Sequence, residues 1–587
     1  MAMNSAFIKH QSADQKEWDI ISHSNRRGLD PEVTLLDGKR QAAGLNDALG
    51  TSNISTSMTS RAGNLLIVIL VWAALYLPAL GSLAIKGEEG RRILPGIAML
   101  ETGNYLVPQV GGETYFRKPP LINWLVAASF KISGHQNEWT ARLPSVISVL
   151  LVAIAFVTVA CASLGPRGST IAALIWLINA GIIEKGRLVE IEGLYVSLCA
   201  LAIIFWLSFW DQKKSAWLIW TLPFVFLGLG WLAKGPVHLL FFYGVVIAVI
   251  WKEGRWGALF HPAHFVGIAL MLGIFAAWAI PFLQAAGHAT ATTKWSQQFT
   301  GRLRGTDFQF GRWILNIPHG TFYLLPWILL LPLVRFENLA AEKDRQLARA
   351  LTWAALIPLV IVDLVPGSIP RYAMPALVPA IWLFAMTLSA DNVKWPRWTG
   401  VWVGGWIAAG TAVGLIQYAQ EHPNKLGMGG LSLGVTIGVG LALAVGIWCW
   451  NRLGGREFSL RARRNAVISI VVLACLSMWT YAIAIVPKMD RRQRIKRLAK
   501  QVESMIPQSE TVYALDPNYQ PIFFYMRSKL VYASGIDEVP TDARYLLVRP
   551  EREQEVLESN RWAPRQPHRI MRSTDYRKES IFLLKID

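Results

Sequence analysis

The sequence is short of charge and of cysteine. Asp, Glu, Lys and Arg make up 17% of the 587 residues, against roughly 25% in soluble domains. That excludes a soluble enzyme or a disordered chain as the main description. The four cysteines, Cys161, Cys199, Cys449 and Cys475, all sit inside apolar runs without CxxC spacing, so neither a disulfide framework nor a thiolate metal site is expected. Acid is the scarcer sign: 39 Asp and Glu stand against 58 Lys and Arg, a net charge of +19. No dinucleotide fingerprint, Walker loop, HExxH or GxSxG stands in a convincing context, and the ten histidines are scattered. No metal and no other cofactor is therefore expected.

What the chain has is apolar sequence in long blocks. Hydrophobic residues reach 53%, with 26 Trp, and the mean hydropathy is +0.33. Runs of about 20 apolar residues cross a bilayer as helices. They fall at 64–85, 143–163, 168–183, 193–210, 216–233, 236–251, 263–283, 319–335, 349–364, 372–390, 398–417, 431–450 and 465–486, about thirteen in all. With the N-terminus inside, the cytoplasmic loops collect Arg167, Lys213 and Lys214, Lys252 and Arg255, then Lys343, Arg345 and Arg349. This is the positive-inside pattern; it accounts for much of the basic excess without nucleic acid.

The expected architecture is an all-α polytopic membrane protein with a small C-terminal α/β domain. Residues 1–62 read as a disordered cytoplasmic tail rather than a signal peptide. Residues 63–487 read as the transmembrane domain, and 488–587 as a soluble domain outside. In the latter, 491–506 reads as an amphipathic helix and 511–515, 529–533 and 544–548 as strands.

Two long external loops are basic, against the topology rule, which suits an outer face that meets something anionic. The first carries Glu88, Arg91 and Arg92 at helical i,i+3 and i,i+4 spacing. That is either a solvated interfacial helix or a carboxylate held beside guanidiniums that grip a phosphate. Tyr115-Phe-Arg-Lys118-Pro-Pro then leads into an apolar helix over 120–131, too short to span. Lys118 at that helix start is either a snorkelling lysine or part of an anion site. Glu184, Lys185, Arg187, Glu190 and Glu192 crowd a turn between spans three and four, where charges are expensive and usually functional. Lys234 precedes Gly-Pro at another external turn, and Arg371-Tyr372 opens span ten.

Taken in order, Glu88-Glu89 with Arg91, ETGNYLVPQVGGETYFRKPPLINW, the acid opening span four, LAKGPV, LLPW and PRYAMP resemble the aminoarabinose transferase family. These are bacterial GT-C glycosyltransferases, similar to protein O-mannosyltransferases. The resemblance is specific over about residues 64–390. It implies a GT-C fold with interfacial helices in the first external loop, in a multi-pass protein of the bacterial inner membrane. It implies a polyprenyl-phosphate-linked sugar donor, 4-amino-4-deoxy-L-arabinose on undecaprenyl phosphate in well-known members, and lipid A phosphate as acceptor on the periplasmic face. Carried over by position, Glu88 and Glu192 are the expected catalytic carboxylates. Arg91, Tyr115, Lys118, Lys234, Arg371 and Tyr372 are the expected substrate-binding residues by the same carry-over, and Arg187 joins them from the charge of the crowded turn alone.

Four positions depart from the family. Glu88 and Glu192 stand where it has Asp, Arg117 where it often has Glu, and Gln298 where it often has His. The last two remove the groups that would hold a metal in relatives. The expected reaction is an inverting transfer by a monomer, in contact with membrane lipids and not with nucleic acid. Transfer to a protein or another lipid is the alternative. A lipid-linked-sugar transporter is the non-enzyme reading, disfavoured because the charges gather at external helix ends and no repeat is seen.

Overall fold

A computed structural model describes residues 51–587 apart from 86, 305–307, 315, 392, 410–427, 454–456, 508, 518–519 and 575–579. Most of the predicted tail, the second half of the span at 398–417 and the Gln298-Phe299 side chains lie outside the described residues. Residues Gly63 to Asp587 pack as one unit.

The chain is a multi-pass bundle. Among the described residues, eight helices are long and apolar enough to cross a membrane: Glu138–Thr158, Cys161–Ile178, Ile191–Asp211, Ala216–Ala233, Pro262–Ala286, Glu342–Leu364, Pro370–Ser389 and Leu460–Arg491. The other expected spans are shorter, broken or partly outside the described residues. The first membrane helix stops at Tyr76 rather than continuing to 85, because Pro78 lies just beyond and a proline restricts the residue before it. The span expected at 319–335 is not one helix. It breaks into Asn316–Phe322 and a 3-10 stretch, Trp327–Leu333, since Pro326 and Pro332 each remove a backbone donor. Span ten likewise opens as a 3-10 turn, Pro370–Ala376, before Leu377–Ser389.

Local sequence sets the boundaries. Asn137 caps Glu138–Thr158 by accepting from the Thr140 amide at 2.9 Å, and Thr140 closes the reciprocal bond. Asn179 caps Ala180–Gly186. The first loop holds two helices, Gly90–Thr102 and Leu121–Ser133, where the resemblance placed two. Both end on a left-handed glycine, Gly103 at φ 71° and Gly134 at φ 68°, where a side chain would be strained. Between them runs a small hairpin of β1 (Gln109–Val110) and β2 (Glu113–Thr114).

The main core lies where Ile191–Asp211 meets Glu138–Thr158, Ala216–Ala233 and His238–Glu253. Buried Trp176, Trp206, Trp220 and Trp382 fill it. Polar ties are few and directed: Tyr76 Oη donates to the Leu177 carbonyl and Trp176 Nε1 to that of Val149, each at 3.0 Å.

The C-terminal segment is a five-stranded mixed sheet of β3 (Val512–Leu515), β4 (Leu530–Ala533), β5 (Tyr545–Val548), β6 (Pro567–Thr574) and β7 (Ser580–Ile586). The strand order is 4-3-5-7-6. The pairs of β3 with β4 and β5 are parallel, and those of β7 are antiparallel. The expected amphipathic helix is interrupted at Gln493 and resumes as Ile495–Ser504. This sheet packs on the first-loop helix Gly90–Thr102: Leu94 and Ile97 share a cluster with Leu498, Val502 and Phe523. Tyr525 Oη accepts from the Ile85 amide at 2.5 Å and donates to Glu138 at 3.1 Å. The sheet and the first loop therefore lie at the same end of the bundle.

Candidate active site

The site begins in the turn before the helix Gly90–Thr102. Glu88 sits in that turn rather than inside the helix, yet reaches both expected arginines: Arg91 at 2.9 Å and Arg92 at 3.1 Å. Arg92 is buried and also donates to Tyr115 Oη at 2.6 Å, while Asn123 Nδ2 donates to the Arg92 carbonyl at 2.7 Å. The second first-loop helix thereby holds the first.

The neighbouring acid has a different task. Glu89 is buried and takes Arg142 on both oxygens, at 2.8 and 2.9 Å. It also accepts from the Val189 amide at 3.2 Å, and Arg142 donates to the carbonyls of Leu80 and Leu83. Glu89 ties the first loop to the helix Glu138–Thr158 and to the turn that leads into Ile191–Asp211. A charge buried so completely persists only with a partner.

Across from this lies the second half of the site. Glu192, in the first turn of Ile191–Asp211, is 7% exposed. It contacts Lys234 Nζ at 3.2 Å and Arg371 Nε at 3.0 Å. Lys234 is held between two rings, 4.4 Å from the Tyr372 centroid and 5.2 Å from that of Tyr195. The two halves are within electrostatic reach: Arg92 acts on Glu192, and Glu88 on Arg371. The structure thus brings together Glu88, Arg91, Tyr115, Glu192, Lys234, Arg371 and Tyr372, which sequence reading had taken from five separate stretches. With Arg92 included, four cations face two carboxylates, a field suited to an anion.

Two expected residues stand differently. Lys118 is half-buried, just before the helix Leu121–Ser133, near Tyr115 in sequence. Arg187 lies against the end of the first membrane helix, bonded to the carbonyls of Leu75 and Pro78. That is where a cation satisfies helix-end carbonyls, and it sets Arg187 apart from the Glu192 cluster. The crowded turn also pairs Lys185 with Glu184 at 2.8 Å and with Glu190 at 3.3 Å. Burial pushes the Glu190 carboxyl above the usual carboxylate range, against the pull of Lys185. Among the described residues, no group of three or more His, Cys, Asp and Glu could hold a metal, and Arg117 is exposed.

Sequence reading missed Tyr195 and His238. Tyr195 Oη accepts from the His238 amide at 2.6 Å, and the His238 ring lies 2.9 Å from the carbonyls of Leu227 and Gly235. Together they fix the Lys234-Gly-Pro turn. A usable signal existed: Tyr195 is three residues after Glu192, on one helix face.

Comparison with known proteins bears on this arrangement. The solved structure of ArnT from Cupriavidus metallidurans bound to undecaprenyl phosphate superposes with a TM-score of 0.62. The match covers 89% of this chain and 97% of that one, at 16% identity. The fold is that of an aminoarabinose transferase. The chain resembles that family in sequence as well. A Pseudomonas fluorescens undecaprenyl phosphate-alpha-4-amino-4-deoxy-L-arabinose arabinosyl transferase is 26% identical over 375 residues, 61% of this chain and 66% of the relative. The match therefore spans just under two thirds of that relative's length. A Pseudomonas aeruginosa counterpart is 26% identical over 406 residues, 66% of this chain and 70% of the relative. Residues 117–280 match the dolichyl-phosphate-mannose-protein mannosyltransferase family model. That stretch holds Lys118, Glu192 and Lys234.

Proposed function

We propose that this protein is a GT-C glycosyltransferase that moves a sugar from a polyprenyl-phosphate carrier to an acceptor at the outer face of the bacterial inner membrane. The carrier is undecaprenyl phosphate, the sugar 4-amino-4-deoxy-L-arabinose or a close relative, and the acceptor a lipid A phosphate. The observation that carries this reading is the buried Glu192 carboxylate between Lys234 and Arg371, facing the Glu88, Arg91 and Arg92 group at one end of a membrane bundle.

In the reaction, an acceptor oxygen attacks the anomeric carbon while the bond from that carbon to the carrier phosphate breaks. One displacement inverts the carbon, and the electron pair leaves on the polyprenyl phosphate. Fixed cations stabilise the charge that gathers there. Arg371, Arg91 and Lys118 are the groups assigned to the phosphate; a guanidinium has five N–H donors and can hold a carboxylate and a phosphate together. Glu192 orients Lys234 and Arg371, and the rings of Tyr195 and Tyr372 confine Lys234. Glu88 positions the acceptor, or takes its proton where the acceptor is a hydroxyl. An acceptor that is already an ionised phosphate needs no base.

Lipid analysis of cells with and without the protein tests this. Loss of a sugar from lipid A, with its carrier accumulating, is the expected result; unchanged levels of both would overturn the reading. An accumulated carrier with unchanged lipid A moves the acceptor to a protein or another lipid, the alternative favoured by the mannosyltransferase match over residues 117–280. Lys118→Ala should lower turnover ~10²-fold or more in a protein that still folds. Full activity in that variant removes Lys118 from the phosphate grip.

A further inference from the structure

The last membrane helix runs Leu460–Arg491. Within it, residues 466–486 are free of charge. Those 21 residues rise about 32 Å at 1.5 Å each, close to the roughly 30 Å hydrocarbon thickness of a bilayer. Lys488 and Arg491 therefore stand just past the hydrocarbon, at the level of lipid headgroups. Basic residues then continue: 486–500 holds seven Lys and Arg against one acid, Asp490. Five of the seven fall at every third position, Lys488, Arg491, Arg494, Arg497 and Lys500, and all five are exposed.

The opposite face of the same segment is committed inward. Leu498, Ala499 and Val502 are buried in a cluster with the C-terminal sheet, and Ile495 is buried as well. Lys496 pairs with Glu138 at 2.6 Å, and Gln493 Oε1 accepts from the Ala84 amide at 2.7 Å. The segment is thus held rigidly beside the first loop, with its cations turned outward. Exposed like charges in a row repel one another; Arg497 donates to the Gln493 carbonyl of its own segment at 3.1 Å.

We infer that Lys488, Arg491, Arg494, Arg497 and Lys500 form a docking surface for the phosphate headgroups of anionic membrane lipids, at the same end of the bundle as the candidate active site. Charge complementarity and placement at the hydrocarbon edge both select that partner. Juxtamembrane cations near an anionic surface act additively and are weakened by salt. The inference concerns lipid binding alone and stands whether or not the transferase reading holds.

The test is retention of phosphatidylglycerol against phosphatidylcholine by the full-length protein, measured by native mass spectrometry from detergent. Wild type should retain phosphatidylglycerol preferentially and lose that preference in about 0.5 M salt. Replacing all five residues by Gln should weaken phosphatidylglycerol binding roughly ten-fold or more. The charge-keeping variant R491K/R494K/R497K should bind as wild type. The proposal fails if wild type shows no preference, if the Gln variant keeps it, or if the Lys variant loses as much as the Gln variant. Because the wild-type salt series is decisive by itself, a Gln variant that misfolds does not protect the idea.

Discussion

The helices Ile191–Asp211 and Leu460–Thr480 are both 21 residues long, and both carry an apolar stretch long enough to span a bilayer. Their surroundings are opposite. Ile191–Asp211 is buried along almost its whole length, with Trp206 and Cys199 fully enclosed. On Leu460–Thr480, Leu473 is 65% exposed and Ile468, Val472 and Leu476 also face outward; the one fully enclosed residue is Arg463. That arginine donates to the carbonyls of Leu388, Ala390 and Asp391 at the end of a neighbouring helix. In a membrane, lipid is as apolar as a protein core, so hydrophobicity does not sort interior from exterior. The polar exceptions do. Glu192, paired with Lys234 and Arg371, and Ser197, which donates to the Gly193 carbonyl at 2.7 Å, mark the interior helix, because a polar group there needs a partner.

The comparison breaks hardest at the interior end. Glu89→Gln leaves Arg142 buried without its counter-charge, which should cost about 3–5 kcal/mol. Chemical denaturation of the purified protein would read that loss. A change under about 1 kcal/mol would mean that water reaches Arg142.

Glu192→Gln comes next. It keeps the shape and removes the charge that aligns Lys234 and Arg371. Turnover should fall by ~10²–10³, with a smaller loss of stability than Glu89→Gln, because Lys234 and Arg371 are partly exposed. If turnover survives, the cluster only holds helices together.

A smaller effect is expected from packing. A Cβ on Gly193 would lie 2.9 Å from the Lys185 carbonyl oxygen, so Gly193→Val should push the helix from the Glu184–Glu190 turn, at about 1–3 kcal/mol. Smallest is Leu473→Ala on the lipid-facing helix, expected within about 0.5 kcal/mol. A Leu473→Ala loss as large as that of Gly193→Val would mean that this face is covered, by a second copy or by another subunit.

How far the site could be read varied with the residue. Glu88, Arg91 and Arg92 were legible because helical spacing is local. Lys234, Arg371 and Tyr372 could be flagged one by one as charges or rings at helix ends, but nothing local says that both cations meet one carboxylate. Arg187 looked equivalent to them, yet the fold turns it onto the carbonyls of Leu75 and Pro78. The broken span at 316–333 was hidden because hydropathy averages over the two prolines that interrupt it. In the C-terminal sheet, three short apolar strands were recognisable, while β6 and β7 were not. In β6, Arg569 and Arg572 are three residues apart, yet both lie over Phe582 because the register shifts between Arg569 and Met571, a pairing visible only across strands.

By itself the sequence determined that this is a polytopic membrane protein, that charge gathers near helix ends, and that the first loop holds two short helices. Those properties follow from run length, proline and glycine placement, and i,i+4 spacing, all set by neighbours along the chain. Only the tertiary structure decided which apolar helix is enclosed, which acid is a structural tie and which sits among cations. Glu88 and Glu89 are adjacent and chemically identical. Glu88 faces Arg91 and Arg92 in the cation cluster, and Glu89 is sealed against Arg142 of the Glu138–Thr158 helix.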